Sequence, residues 1–318
     1  MRRIYFPEEF KSEDFKKEYP QGAVYALGFF DGVHIAHRAL IAEAKRQADA
    51  LRLPLGIFTF SSEGEGIKPG VGRIYSTEQR LSVIEALGAD FAIVCDFPAV
   101  RNMTAEEFTE LLSDKLLLKL GVCGFNFRFG KGAMADADFL KSALEKRGKG
   151  CLIVDEISLG GSSVSATRIR QLIEGKGPLA AAELLGLPFF VAGEVVHGRG
   201  EGKSFGFPTV NTSFTDGALI PATGVYLTAV ELGDEIYTAI TNVGGCPTFG
   251  ERECHAETYI IDFDGDLYGR SVRIYFIEYL RDEATFEGAA GLAAQLELDK
   301  KRALSLATEE LWHRIGLK

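Results

Sequence analysis

The sequence predicts an α/β Rossmann-like domain built on a parallel sheet, followed by a small antiparallel β-barrel domain with a C-terminal helix. Three observations lead there. The chain has 318 residues, which at ~150 residues per domain allows about two. From residue 22 to about 185, short apolar runs alternate with segments whose apolar residues recur every three or four positions, as strands alternating with helices require. Beyond Leu187 and Pro188 the runs become strand-like and are separated only by turn-sized breaks, the pattern of a barrel or sandwich. The join is expected around 184–188, giving domains 1–186 and 187–318.

In the first half the strand candidates are residues 23–30, 53–60, 91–97, 122–127 and 152–157. One helical stripe runs through Leu40, Ile41, Ala44, Ala48 and Leu51, another through Phe108, Leu111, Leu112, Leu116 and Leu120. Thr104 and Glu107 have capping-box spacing, and Gly88, Gly121 and Gly148 stand where helices are expected to end. In the second half the candidates are 189–196, 224–232, 235–243, 256–263 and 271–280, broken at Gly233-Asp234 and Asp264-Gly265-Asp266. One amphipathic helix is expected over roughly 289–315.

Composition excludes several classes. Hydrophobic residues at 46% and charged residues at 25% describe an ordinary folded chain, neither disordered nor coiled-coil. Thirty-five Lys and Arg against 45 Asp and Glu give a net charge of −10, the wrong sign for coating nucleic acid. The first residues contain no signal-peptide core, and no stretch reaches the ~20 apolar residues of a membrane span. A cytoplasmic protein bound to neither membrane nor nucleic acid is therefore expected. Cys95, Cys123, Cys151, Cys246 and Cys254 are odd in number and never spaced as CxxC, so they read as free thiols, not as a disulfide frame or zinc site.

Four segments carry chemistry. Gly28-Phe29-Phe30-Asp31-Gly32-Val33-His34-Ile35-Ala36-His37 lies where the first strand turns into a helix. His34 and His37 then share a face at the positive end of the helix dipole, where a polyphosphate would sit. An isolated HxxH is more often a pair of surface or capping histidines. Val164-Ser165-Ala166-Thr167-Arg168-Ile169-Arg170 opens another helix with two hydroxyls and two arginines, able to cap it or to clamp phosphate. Gly124-Phe125-Asn126-Phe127-Arg128-Phe129-Gly130 follows a strand on the same ligand-facing edge, where parallel α/β sheets bind. It would otherwise be a polar turn among aromatics.

The fourth segment is Gly198-Arg199-Gly200-Glu201-Gly202-Lys203-Ser204-Phe205-Gly206-Phe207-Pro208-Thr209-Val210-Asn211. It imitates the end of a Walker A loop, but the glycine that motif needs five positions before Gly202 is His197, so the P-loop reading fails. A glycine loop leading into Thr209 and Asn211 still offers backbone amides to phosphate and two neutral oxygens, on one strand face, to a hard cation. Glu257, in an otherwise apolar strand, is either a base or a solvent-facing glutamate.

Together these segments resemble the bacterial bifunctional riboflavin kinase/FMN adenylyltransferase (FAD synthetase) family over nearly the whole chain. The first domain resembles its GxFDGxHxGH element at residues 28–37, its G-x-D/N-F-x-F-G element at 124–130 and its SSTxIR-type element at 165–170. The second resembles the kinase module at residues 200–211, in GVY at 224–226, in N-x-G-x-x-PTF at 242–249, in the Glu257 strand, in DLYG at 266–269 and in LRxExxF at 280–286. Departures lie in the first domain. Ala36 replaces the second glycine of HxGH, Ala166 replaces a hydroxyl residue, and Ser61-Ser62-Glu63-Gly64 stands where Pro-His-Pro is usual.

The resemblance implies phosphorylation of riboflavin by ATP, with Glu257 as base, Thr209 and Asn211 holding Mg²⁺, and Gly198, Gly200, Gly202, Lys203, Gly206 and Arg281 binding substrate or nucleotide. It implies adenylylation of FMN by a second ATP, with His34 and His37 stabilising the transition state and Gly28, Phe30, Asp31, Asn126, Arg128, Ser165, Thr167 and Arg170 binding. A riboflavin kinase with a silent first domain and a non-catalytic flavin-binding regulator are the alternatives.

Overall fold

The computed structural model describes residues 1–61, 72–196, 208–214, 217–244, 255–286 and 288–317. They form two compact units, Met1–Ser165 and Ala166–Lys318.

The first unit is built on six parallel strands: β1 (Arg2–Phe6), β2 (Ala23–Leu27), β3 (Leu55–Phe60), β4 (Phe91–Cys95), β5 (Leu118–Gly124) and β6 (Gly150–Val154), in the order β1-β4-β3-β2-β5-β6. Strands β2 and β4 are buried at every position, as expected of a parallel sheet covered on both faces. The edge strand β1 and helix α1 (Ser12–Glu18) are additions to the expected pattern; charged Arg2 and Arg3 hide the strand signal. Helices α2 (Ile35–Leu51), α3 (Thr77–Ala86), α4 (Phe97–Val100), α5 (Ala105–Glu110) and α6 (Ala137–Glu145) follow. Leu40, Ile41, Ala44 and Ala48 are buried on α2, and Thr104 and Glu107 cap α5 reciprocally.

Two expectations need correction here. The second stripe is interrupted: α5 runs into a π-helical turn over Leu111–Lys115, and Leu120 and Gly121 belong to β5. Gly121 ends no helix; it gives room to the side chains of Leu27, Leu118 and Leu144, which a Cβ would touch at 3.4–3.6 Å. The chain leaves β2 for β3 and β4 on one side, then returns to lay β5 on the other. Such a sheet takes its ligands in the crevice at the carboxyl ends of the strands where the order reverses, here β2 and β5.

The second unit begins with α7 (Ala166–Glu174) and α8 (Pro178–Leu185), which pack together, α8 also against the barrel. Its strands are β7 (Phe190–Glu194), β8 (Thr209–Ser213), β9 (Gly224–Leu232), β10 (Glu235–Gly244), β11 (His255–Ile260) and β12 (Ser271–Arg281). They form an antiparallel sheet in the order β7-β12-β9-β10-β11-β8. The edges meet where the Val196 amide donates to the Asn211 carbonyl at 2.9 Å, which curls the sheet into the expected barrel. On its wholly buried face Thr228, Thr241 and Thr258 join hydroxyls at 2.8 and 2.9 Å, a ladder that satisfies polar groups where no water reaches.

The opposite face is covered by α9 (Gly288–Leu306), which packs on β10 and β12. The single expected C-terminal helix is in fact two. It stops at Leu306, and Thr308 caps α10 (Glu309–Arg314) by accepting from the Leu311 amide at 3.2 Å. A side-chain cap starts a new helix because it satisfies an otherwise orphaned amide.

Candidate functional sites

In the first unit, Leu27 and Cys123 are register partners on β2 and β5. The Gly28 and Gly124 segments therefore leave the sheet side by side at the crevice. The Gly28 segment is a tight loop, with positive φ at Phe30 (57°), Gly32 (76°) and Val33 (42°). Such conformations cost energy in residues other than glycine and persist where the surroundings impose them. Thr59 Oγ1 donates to the Phe29 carbonyl at 2.9 Å and Arg38 Nε to the Val33 carbonyl at 3.1 Å. Buried Asp31 accepts from the Ile74 and Tyr75 amides at 3.1 and 3.5 Å. Its role here is to anchor the loop. Phe30 is buried, with its ring edge-on to His37 at 5.3 Å.

His34 is the N-cap of α2, and its Nδ1 accepts from the His37 amide at 3.4 Å. The two imidazoles stack with centroids 3.6 Å apart and planes 15° from parallel. Burial lowers the His34 pKa to about 4. Burial, then the neighbouring His34 and Arg80, hold His37 well below its ordinary value. Both rings are neutral near pH 7, so each carries one N–H and one acceptor nitrogen. His37 Nδ1 is sealed from solvent and has no hydrogen-bond partner among the described residues.

Asn126 and Arg128 are exposed beside the crevice, Arg128 lying 3.9 Å from Asp136 across a short hairpin. Ser165 ends the first compact unit, while Thr167 and Arg170 sit on α7 in the second. Arg80 was not singled out from the sequence. It is fully buried on α3, with its guanidinium 4.7 Å over the Phe29 ring. No motif marks it, since it sits on a helical stripe as any surface arginine would.

In the second unit, Asn211 on β8 is the register partner of Glu257 on β11, which in turn faces Asn242 on β10. Cross-strand partners share a sheet face, so Thr209, Asn211, Asn242, Glu257 and Tyr259 all point toward the α9 side. There, Glu257, Asn242, Thr209, Arg281, Phe286 and Leu296 help line a cavity of about 240 Å³. A second cavity, of about 450 Å³, lies against Thr209, Val210 and the 263–268 segment. Thr209 lines both. His255 Nε2 stands 3.5 Å from Glu257 Oε1.

Arg281 is held from α9. Its Nε and Nη2 meet the buried Asp299 carboxylate at 3.0 and 2.7 Å, and Nη1 donates to the Asp282 carbonyl at 2.9 Å. Asp299 and Tyr259 were not singled out from the sequence, and Phe286 entered only as the last residue of LRxExxF. A helical aspartate among charged neighbours gives no signal until the strand it grips is known. The Gly198, Gly200, Gly202, Lys203 and Gly206 loop, the 245–249 part of the N-x-G-x-x-PTF segment and the residues replacing Pro-His-Pro beyond Ser61 lie outside the described residues. So do Cys246 and Cys254, whereas Cys95, Cys123 and Cys151 are buried free thiols.

Comparison with known proteins finds one family model in each half of the chain. The FAD synthetase family model matches residues 16–168 and the riboflavin kinase model residues 185–307. The Bacillus subtilis bifunctional riboflavin kinase/FMN adenylyltransferase is 31% identical over 91% of this chain and 93% of its own. The Escherichia coli K12 protein of the same name is 30% identical over 89% and 92%. A crystal structure from Streptococcus pneumoniae, described as that of a macrolide-efflux protein, superposes with a TM-score of 0.83 at 30% identity, covering 95% of this chain and 98% of that one. No helix among the described residues is long and apolar enough to cross a membrane.

The chain is thus a two-module transferase, a nucleotidyltransferase followed by a kinase. It belongs to the bifunctional riboflavin kinase/FMN adenylyltransferase family, enzymes that use ATP to make FMN from riboflavin and FAD from FMN.

Proposed function

We propose that the kinase reaction takes place where the two cavities of the second unit meet, and the observation that carries this is Thr209, which lines both. Riboflavin occupies the cavity under α9, whose apolar walls suit a flat ring system, with its ribityl 5′-hydroxyl at Glu257. ATP occupies the cavity along 263–268. Glu257 takes the hydroxyl proton as the new O–P bond forms to the γ-phosphorus and ADP leaves. Asn211 and Asn242, facing Glu257 from both sides, hold the carboxylate in place.

Thr209 and Asn211 supply two neutral oxygens beside one carboxylate. That donor set suits Mg²⁺ arriving with the nucleotide's phosphates, since Mg²⁺ keeps few protein ligands in such sites. When bound there it would neutralise charge on the transferring phosphoryl group. The Gly198–Gly206 loop, with Lys203, is the proposed phosphate cover, and Arg281 the residue bounding the flavin.

In the first unit, an FMN phosphate oxygen attacks the α-phosphorus of ATP and pyrophosphate leaves. Neutral His34 and His37 donate hydrogen bonds to charge developing on the α-phosphate. Gly28 allows close backbone approach, Phe30 and Asp31 fix the loop, and Asn126, Arg128 and Ser165 bind nucleotide or flavin. The kinase module is placed at 187–318, the adenylyltransferase module at 1–186, and the enzyme in the cytoplasm, where ATP is abundant. Incubating the chain with riboflavin, ATP and Mg²⁺ tests the metal assignment. Chelation with EDTA is expected to stop FMN formation and added Mg²⁺ to restore it; FMN formation unaffected by chelation would overturn it.

A further inference from the structure

Helix α9 closes the cavity beside Glu257, and it is fastened to the barrel by Asp299 on Arg281, by Arg302 on the Leu280 carbonyl and by Lys300 beside Asp262 and Tyr259. Asp299 is 3% exposed on a helix whose Leu298 and Leu304 face solvent. Its carboxylate receives Nε and Nη2 of Arg281, and Gln295, one turn earlier, donates to Asp299 Oδ1 at 2.9 Å. A planar guanidinium held this way has its orientation fixed as well as its position. The other end of the same group, Nη1, is fastened to the Asp282 backbone carbonyl, and its carbon lies 5.8 Å over the Phe286 ring. Residues 282–286 leave β12 without helix or strand structure, and Glu283, Ala284 and Phe286 form a wall of the cavity. The carboxylate on α9 thus fixes, through Arg281, a wall that no sheet hydrogen bonds would otherwise hold.

We infer that Asp299 is a positioning residue for flavin binding, acting through Arg281 to set the 282–286 wall. This rests on the assignment of riboflavin to the α9 cavity and of ATP to its neighbour. Asp299 lines the α9 cavity itself, but its carboxylate is taken up by Arg281 and Gln295 and is placed apart from the phosphoryl transfer at Glu257. Its removal therefore weakens flavin binding alike in ground and transition states, which raises KM and leaves kcat in place.

The test is steady-state kinetics of the full chain carrying Asp299→Asn, Arg281→Gln, both together, or Gln295→Ala. Asp299→Asn is expected to raise the riboflavin KM about tenfold or more, with kcat and the ATP KM each within about threefold of the parent. The double variant is expected to match Arg281→Gln alone, because the two residues act as one unit. An unchanged riboflavin KM, equal rises in both KM values, or additive losses in the double variant would overturn the inference. A rise in the ATP KM alone, with Glu257→Gln still inactive, would overturn it through the reading beneath it, the assignment of the two substrates to the two cavities. FAD formation from supplied FMN and the fluorescence of Trp312, the chain's one tryptophan, report folding in every variant. Should Asp299→Asn not fold, Gln295→Ala decides: a riboflavin KM raised about two- to fivefold at constant kcat supports the inference, and an unchanged one overturns it.

Discussion

Asn211 and Glu257 stand opposite one another on β8 and β11, and Asn242 closes the other flank of the same carboxylate. An amide oxygen and a carboxylate on one sheet face, one of them buried, form a site that can share a cation and a proton without a cluster of charged ligands. With Thr209 and Asn211 as its protein oxygens, the metal in this reading arrives with the nucleotide's phosphates. Replacing Asn211 by Ala removes one of two neutral oxygens. The Mg²⁺ concentration for half-maximal FMN formation is expected to rise about tenfold, the worth of one hydrogen-bond-strength contact of ~1.4 kcal/mol. A Mg²⁺ titration that superposes on the parent's would remove Asn211 from the metal site.

Ala36 lies in the first turn of α2, between His34 and His37 in sequence, and is half-buried. In the proposed binding mode its methyl meets the nucleotide where the family resemblance has glycine. A small overpacking contact costs ~1–3 kcal/mol, one to two powers of ten in affinity or rate. Ala36→Gly is expected to speed FAD formation about tenfold while FMN formation is unchanged, despite the ~1 kcal/mol that glycine costs a helix. Equal FAD rates would mean that the methyl touches nothing that matters.

Acid is expected to act on the histidine pair through stability before chemistry. Folded His34 has a pKa of about 4 against 6.5 for the ordinary group, so between those values the unfolded chain binds the extra proton. Its contribution is fully present above pH 6.5, falls as the pH drops through that window, and is lost by about pH 4. At 1.36 kcal/mol per unit this amounts to about 3 kcal/mol. Thermal midpoints measured from pH 7.5 to 4.5 should fall more steeply for the parent than for His34→Gln. FAD formation from FMN should show no loss centred at pH 6.5; such a loss would mean that the rings are not buried neutral.

The compact second unit starts at Ala166, and α8 packs against β12, whereas the sequence places the join near 184–188. A fragment spanning 166–318 is expected to phosphorylate riboflavin and to unfold at a higher temperature than one spanning 184–318, which lacks α7 and most of α8. Equal midpoints would show that the two helices add nothing to the kinase module.

Strand and helix order was legible because buried parallel strands read as unbroken apolar runs, and barrel strands as runs between turns. Much of what stayed hidden depends on contacts distant in sequence. Strand β1 is masked by Arg2 and Arg3, which salt-bridge to Glu18 and Glu78. The end of α9 follows from Thr308, whose cap competes with continued helix. In the sites, glycine loops and paired histidines announce themselves because such chemistry needs them at fixed spacing. Arg80 and Asp299 do not, since an arginine or aspartate on a helix is ordinarily solvated. Only burial under Phe29, or against Arg281, gives them meaning.

One chain is expected to hold two chemistries in separate sites, and two variants assayed in parallel tell the sites apart. Each is incubated with ATP and Mg²⁺, first with riboflavin and then with FMN, and the flavins are resolved by chromatography. Glu257→Gln is expected to make FMN at least ~10² more slowly, as loss of a general base requires, yet to convert supplied FMN to FAD at the parent's rate. Asn126→Ala is expected to do the reverse, accumulating FMN at the parent's rate while FAD formation falls. If either variant loses both activities while remaining folded, the two reactions do not occupy separate sites.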